Sequence, residues 1–145
     1  MGAFFIVNPT AGHGKSLDIW KSIKESISIP FDYAITKAPG EATFIAKEAS
    51  DKGYRKVVAV GGDGTVHEVV NGLVGTDVEL GVIPAGTGND FIRTLKISKN
   101  PLTALEYIEK GSSDYIDLGR YDNGYYINSA GAGLDAEVVR AANED

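Results

Sequence analysis

The residues able to do chemistry stand in glycine-rich segments, each following an apolar run. The strongest reads Val57-Val58-Ala59-Val60-Gly61-Gly62-Asp63-Gly64-Thr65-Val66-His67-Glu68. A β-branched run opens into a Gly-Gly-Asp-Gly-Thr turn. A helical period follows on Val66, Val69, Val70 and Leu73, with Thr65 as its natural N-cap. Free N–H groups at a helix start, at the positive end of its dipole, suit phosphate oxygens. Glycines let that backbone approach a ligand without a Cβ in the way. A carboxylate inside a phosphate loop repels the ligand, so Asp63 makes sense if it meets Mg²⁺ or accepts a proton from an attacking hydroxyl. The alternative is that Asp63 is a turn residue and the glycines only shape a bend.

The second segment is Ile83-Pro84-Ala85-Gly86-Thr87-Gly88-Asn89-Asp90-Phe91. Thr87 offers a hydroxyl, Asn89 an amide and Asp90 a second carboxylate; equally, Asn89 or Asp90 caps the helix that follows. The third is Asn8-Pro9-Thr10-Ala11-Gly12-His13-Gly14-Lys15-Ser16. Its Gly-Lys-Ser tail matches the end of a P-loop. However, Pro9 holds the first glycine position and removes an N–H where a phosphate cradle needs one, so that reading is rejected. Lys15 either reaches a phosphate or is solvated beside a helix start. Gly131-Ala132-Gly133-Leu134-Asp135-Ala136 fits a dinucleotide fingerprint, but no βαβ unit with an acidic residue about 20 positions on follows it in this chain. His13 and His67 read as hydrogen-bonding residues, not catalysts.

The elements that must position these segments follow from periodicity. Ala3–Val7, Phe31–Thr36, Val57–Val60 and Leu80–Ile83 read as strands. Leu17–Ile27, Ala42–Ala49 and Val66–Leu73 carry the helical spacing between them. Alternation of this kind gives βαβ crossovers and a parallel sheet covered on both faces, with ligands at the carboxyl ends of the strands. A short helix is expected at Phe91–Leu95 and another at Pro101–Lys110, with Pro at its start and Gly111 after its end. Tyr115–Tyr121 and Tyr125–Asn128 flank Asp122-Asn123-Gly124, a hairpin signal, and Leu134–Ala142 begins a last helical pattern. The organisation expected is an α/β nucleotide-binding unit over 1–110, then a hairpin that opens a second β domain over 111–145.

Composition narrows the function. The 145 residues are 43% hydrophobic and 23% charged, an ordinary globular balance. The net charge of −6 disfavours a nucleic-acid partner and supplies no polybasic membrane anchor. With no cysteine, disulfides, thiolate catalysis and Cys-based metal sites are excluded, and two histidines make a multi-His metal site a poor reading. No apolar stretch approaches the roughly 18–20 residues that span a bilayer, and Ala3–Val7 lacks the cationic flank of a signal peptide, so a cytoplasmic protein is expected.

Taken together, the motifs resemble the catalytic domain of the diacylglycerol kinase family, lipid kinases that include bacterial diacylglycerol kinases and sphingosine kinases. The matching elements are Asn-Pro-x-x-Gly at 8–12, Gly-Gly-Asp-Gly-Thr-x-x-Glu-Val-x-Asn-Gly-Leu at 61–73, Pro-x-Gly-Thr-Gly-Asn-Asp-Phe at 84–91 with Arg93 following, and Asn-x-Ala-Gly-x-Gly-x-Asp-Ala at 128–136. Gly-Gly-Asp-Gly alone is shared with NAD kinases and phosphofructokinases; the block at 84–91 selects lipid kinases. The resemblance implies a three-layer, Rossmann-like parallel sheet of the NAD kinase and diacylglycerol kinase type. It implies ATP and Mg²⁺, a lipid substrate at a membrane surface touched transiently, and no nucleic acid.

Carried over residue by residue, the nucleotide contacts are Asn8, Pro9, Thr10, Ala11 and Gly12, then Thr36, then Gly61, Gly62, Asp63, Gly64, Thr65, Val66, His67 and Glu68, and finally Thr87, Gly88 and Asn89. Asn89, Asp90 and Arg93 fall to the lipid side. Asp63 lies at the reaction centre, in phosphate and metal organisation or as the base. In the family a second, mainly β domain carries a carboxylate proposed as general base, a structural Mg²⁺ site and most of the lipid pocket. This chain alone is therefore expected to phosphorylate lipid poorly, and apolar surface left where that domain docks favours self-association as a homodimer. An NAD kinase and a non-enzymatic nucleotide-binding module are the other readings.

Overall fold

Four apolar runs rich in Val, Ile and Phe form the central strands: β1 (Ala3–Val7), β2 (Phe31–Ile35), β3 (Lys56–Gly61) and β4 (Glu79–Pro84). In this computed structural model the described residues are 2–85, 93, 97–111, 113, 118–121 and 124–127. The four strands make one parallel sheet in the order β2-β1-β3-β4. The helices are α1 (Lys15–Lys24), α2 (Glu41–Asp51), α3 (Asp63–Leu73) and α4 (Pro101–Lys110).

Because strand side chains alternate, each run feeds both faces of the sheet. Phe5, Val7, Val58, Val60 and Ile83 pack with Trp20 and Ile23 of α1 and with Leu105 and Ile108 of α4. Ile6, Val57, Ala59 and Val82 pack on the other face with Ala42, Ala46 and Ala49 of α2 and Val66, Val69, Val70 and Leu73 of α3. This is the three-layer arrangement expected, and continuous apolar runs suit strands buried on both sides. β2 alternates only loosely because it is an edge strand: Asp32, Tyr33 and Ile35 are exposed.

Boundaries moved where local chemistry overrode the apolar spacing. α1 begins at Lys15, since Gly14, at φ 92°, turns the chain into the helix. It stops at Lys24, and Ile27 reaches the same core from the turn beyond it. α4 matches its expected bounds. Asn100 accepts from the N–H groups of Leu102 and Thr103 at 3.0 and 3.2 Å, Pro101 follows it, and Gly111 lies past the end. The hairpin pairs β5 (Leu118–Tyr121) with β6 (Gly124–Ile127), Tyr121 opposite Gly124. Tyr115 and Asn128, the Leu134–Ala142 pattern, and the Phe91–Leu95 helix apart from Arg93 lie outside the described residues. Among the described residues no helix is long and apolar enough to cross a membrane.

The strand order has a functional corollary. The chain moves from β1 to one neighbour, β2, and then back across to the other, β3. The connections therefore part between the carboxyl ends of β1 and β3, the switch point at which open parallel sheets take their ligands.

Candidate functional site

Gly61 ends β3 and Gly62 is the N-cap of α3, with no side chain to cap the helix. The first-turn amides, beginning at Asp63, thus sit at the carboxyl edge of the sheet with the positive end of the dipole beside them. Gly61 must be glycine because a Cβ there would stand 2.4 Å from Thr65 Oγ1. Thr65 is not the N-cap that its place before the apolar period suggests. It lies inside the first turn, 2% exposed, and its hydroxyl oxygen accepts from Asn8 Nδ2 at 3.1 Å. The helix starts three residues earlier than a Thr65 cap would place it, because Gly62 takes the extended conformation that a cap requires.

Asn8 is the hub of the neighbouring loop. Its Oδ1 accepts from both the N–H and the hydroxyl of Thr10, at 3.1 and 2.9 Å, while its own N–H donates to the Val60 carbonyl at 3.1 Å. Pro9, Thr10 and Ala11 lead into a 3-10 turn, Ala11–Gly14. Gly12 has φ 62°, and a Cβ there would stand 2.1 Å from the Ala85 carbonyl oxygen. Both observations demand glycine. The loop after β1 therefore reaches over the end of β3 to the end of β4. Gly61 pairs with Pro84, and the Ala85 N–H donates to the Gly61 carbonyl at 2.8 Å. The segments that begin at Gly61 and Pro84 start side by side, as their common strand-to-helix setting requires.

A cleft of about 200 Å³ opens beside this edge, lined by Asn8, Pro9, Thr10, Thr36, Thr65 and Glu68, with 37–39 and Ala42 closing it. Thr36 is buried and donates its N–H to the Val7 carbonyl at 2.9 Å. Glu68 Oε1 accepts from the N–H groups of Gly40 and Ala42 at 3.0 and 3.3 Å, so its carboxylate sits on the start of α2, whose N-cap Gly40 has no side chain. Thr43 Oγ1 donates to the Glu68 carbonyl at 2.8 Å. Glu68 is thereby a wall of the cleft and a clamp between two helices.

The remaining candidates divide. Val66 is core, which leaves only its backbone available to a ligand. His67 is half-buried on α3 and Gly64 is exposed, with open space where a Cβ would stand. Lys15 lies outside the cleft, in an open groove with Pro84, Ala85 and Lys99. Arg93 is exposed. Thr87, Gly88, Asn89 and Asp90 lie outside the described residues. Among the described residues no cluster of three or more His, Asp or Glu converges. Asp63, a hard oxygen donor in the first turn of α3, would suit a Mg²⁺ held mainly by nucleotide oxygens and water.

Sequence reasoning missed one residue, Asn71. Its Nδ2 donates to the carbonyls of His67 and Tyr125 at 2.9 and 2.8 Å, and its Oδ1 accepts from the Tyr125 N–H at 2.7 Å. The signal available was a poor helix former placed in the last turn of α3 beside Gly72.

Residues 2–121 match the family model described as the diacylglycerol kinase catalytic domain. The chain belongs to this family. It is 40% identical over 147 residues to the diacylglycerol kinase of Bacillus subtilis (strain 168), covering 94% of this chain and 47% of that protein. It is 38% identical over 145 residues to the diacylglycerol kinase of Staphylococcus aureus (strain JH9), covering 94% and 45%. The crystal structure of a diacylglycerol kinase from Bacillus anthracis str. Sterne superimposes with a TM-score of 0.78 at 32% identity, over 88% of this chain and 46% of that one. The chain thus spans about half the length of the curated relatives it matches. The likeness extends to the parallel-sheet α/β fold described above.

Proposed function

We propose that this chain is the nucleotide-binding part of an ATP-dependent lipid kinase that moves the γ-phosphoryl group of ATP to a hydroxyl of a diacylglycerol-like lipid. The observation that carries this reading is the uncapped start of α3 at the switch point, tied by Asn8 and Thr65 to the loop after β1. In this reading the amides of 62–65 hold phosphate oxygens, Gly64 leaves room for them, and the 8–12 loop, Thr36 and Glu68 line the rest of the nucleotide site. Thr87, Gly88 and Asn89 contribute from the neighbouring loop, and Asn89, Asp90 and Arg93 face the lipid.

Mg²⁺ bound with the nucleotide would spread the charge of the phosphates. Asp63 either orients that ion or takes the proton of the lipid hydroxyl. In the transfer the bond from the γ-phosphorus to the bridging oxygen breaks, ADP keeps that electron pair, and a bond to the lipid oxygen forms. Residues 1–110 form the nucleotide unit and 111–145 open a second, β-rich domain. The protein acts in the cytoplasm and meets the bilayer transiently.

Titration calorimetry with ATP and Mg²⁺, followed by a mixed-micelle assay with diacylglycerol and a parallel assay with NAD, tests the reading. ATP binding with transfer to the lipid and not to NAD is expected from the protein with its second domain. Absence of ATP binding, or transfer to NAD alone, overturns it.

A further inference from the structure

The β5–β6 hairpin packs through Leu118 on the core cluster that α3 shares, and Asn71 of α3 hydrogen-bonds its backbone. The Asn71 amide forms with the Tyr125 peptide the two-bond pair that a neighbouring strand would form, N–H to Oδ1 at 2.7 Å and Nδ2 to carbonyl at 2.8 Å. The second Nδ2 proton goes to the His67 carbonyl at 2.9 Å, which fixes the amide plane within its own helix. Every strong hydrogen-bonding capacity but one acceptor lone pair is thus used. The helix that carries this clasp is immobilised on its other side. At Gly72 a Cβ would stand 2.4 Å from the Thr43 carbonyl oxygen, and Thr43 itself bonds the Glu68 carbonyl. α3 therefore cannot shift toward α2, and the hairpin takes its position from α3. Asp63 lies in the first turn of the same helix, about 12 Å from Asn71 at 1.5 Å per residue.

We propose that Asn71 is a positioning residue: by pairing with the Tyr125 backbone it makes α3 and the hairpin one rigid body, so that the hairpin is held at a fixed distance from Asp63. The consequence for phosphoryl transfer rests on the kinase reading above. The clasp itself does not.

Amide hydrogen exchange on the 145-residue chain tests the clasp. Asn71→Ala is expected to lower protection of the Tyr125 N–H at least tenfold, with Val57–Val60 unchanged as the control for folding. Asn71→Asp keeps the acceptor but turns a carboxylate on the Tyr125 carbonyl. Its protection, corrected for intrinsic exchange, is expected to recover as the pH falls from 7 to 4.5 and the acid regains a donor, while that of Asn71→Ala does not. Unchanged protection in Asn71→Ala, or a flat pH response in Asn71→Asp, overturns the clasp. In the protein with its second domain, kcat for lipid phosphorylation is expected to fall at least tenfold in Asn71→Ala, with KM for ATP within twofold. An unchanged kcat beside lost protection overturns the positioning role, whereas a wild-type protein that neither binds ATP nor transfers phosphate overturns the kinase reading alone.

Discussion

Asn8 Nδ2 lies 3.1 Å from Thr65 Oγ1 and joins the loop after β1 to the first turn of α3 across the switch point. The contact spans 57 residues of sequence and ends on a buried hydroxyl. Thr65→Val keeps the shape and removes the acceptor; Asn8→Ala removes the donor and the turn that Thr10 makes on it. Each is expected to destabilise the fold by about 1–2 kcal/mol, with a coupling near 1 kcal/mol in the double variant. Urea unfolding of the four proteins measures this. Under the kinase reading, Asn8→Ala also weakens ATP binding about tenfold, since the loop that lines the cleft loses its anchor.

Asp63→Asn separates holding a nucleotide from using it. A carboxylate contributes little to binding an anion, so Kd for ATP is expected to stay within a few-fold. Under the kinase reading, turnover is expected to fall on the order of 10²–10⁴-fold, the usual cost of losing a base or a metal contact. Activity near that of the wild type would reduce Asp63 to a turn residue.

Two glycines respond oppositely to alanine. Gly12→Ala sets a Cβ 2.1 Å from a backbone oxygen at a positive φ, and a loss of several kcal/mol in stability is expected. Gly64→Ala meets open space within α3 and is expected to raise stability by about 0.5–1 kcal/mol. If phosphate oxygens approach that backbone, the same change lowers ATP affinity. A melting curve and a calorimetric titration on one variant thus distinguish a glycine kept for folding from one kept for a ligand.

The Tyr54 hydroxyl donates to the Asp32 carboxylate, and that hydrogen bond, followed by burial and the carboxylate charge, raises the phenol pKa above its ordinary 10.0. A raised folded-state value favours the protonated phenol in the native state. The stabilisation is fully present below the ordinary value and disappears as the pH rises through the folded one. Tyr54→Phe is therefore expected to be less stable than the wild type at neutral pH, with the gap closing above pH 10. A gap that widens with rising pH would contradict the assignment.

Much of this was legible before folding. The β-branched run at 57–60 and the helical spacing at Val66, Val69, Val70 and Leu73 fix β3 and α3, because burial on a sheet face needs those residue types at those intervals. Pro101 and Gly111 mark α4 because each suits one end of a helix. Thr65 misled because a hydroxyl ahead of an apolar period is what an N-cap looks like, whereas its partner is Asn8, far away in sequence. The role of Asn71 could not be read for the same reason: its partner lies 54 residues on. Local spacing reports which face is buried, and it does not report which distant backbone a polar side chain will meet.

Nearly everything that matters between residues 62 and 72 hangs on a single helix in fixed phase. Amides without a side-chain cap stand at its start, Glu68 clamps α2 from its middle, and Asn71 and Gly72 face the hairpin and α2 near its end. An extra residue between 63 and 68 would rotate all that follows by about 100° and advance it by about 1.5 Å. The clamp, the clasp and the close helix contact would be lost together, although each of the side chains remained. Insertions are accordingly expected to be accommodated in turns such as 52–55 and 75–78 and not within the eleven residues of α3.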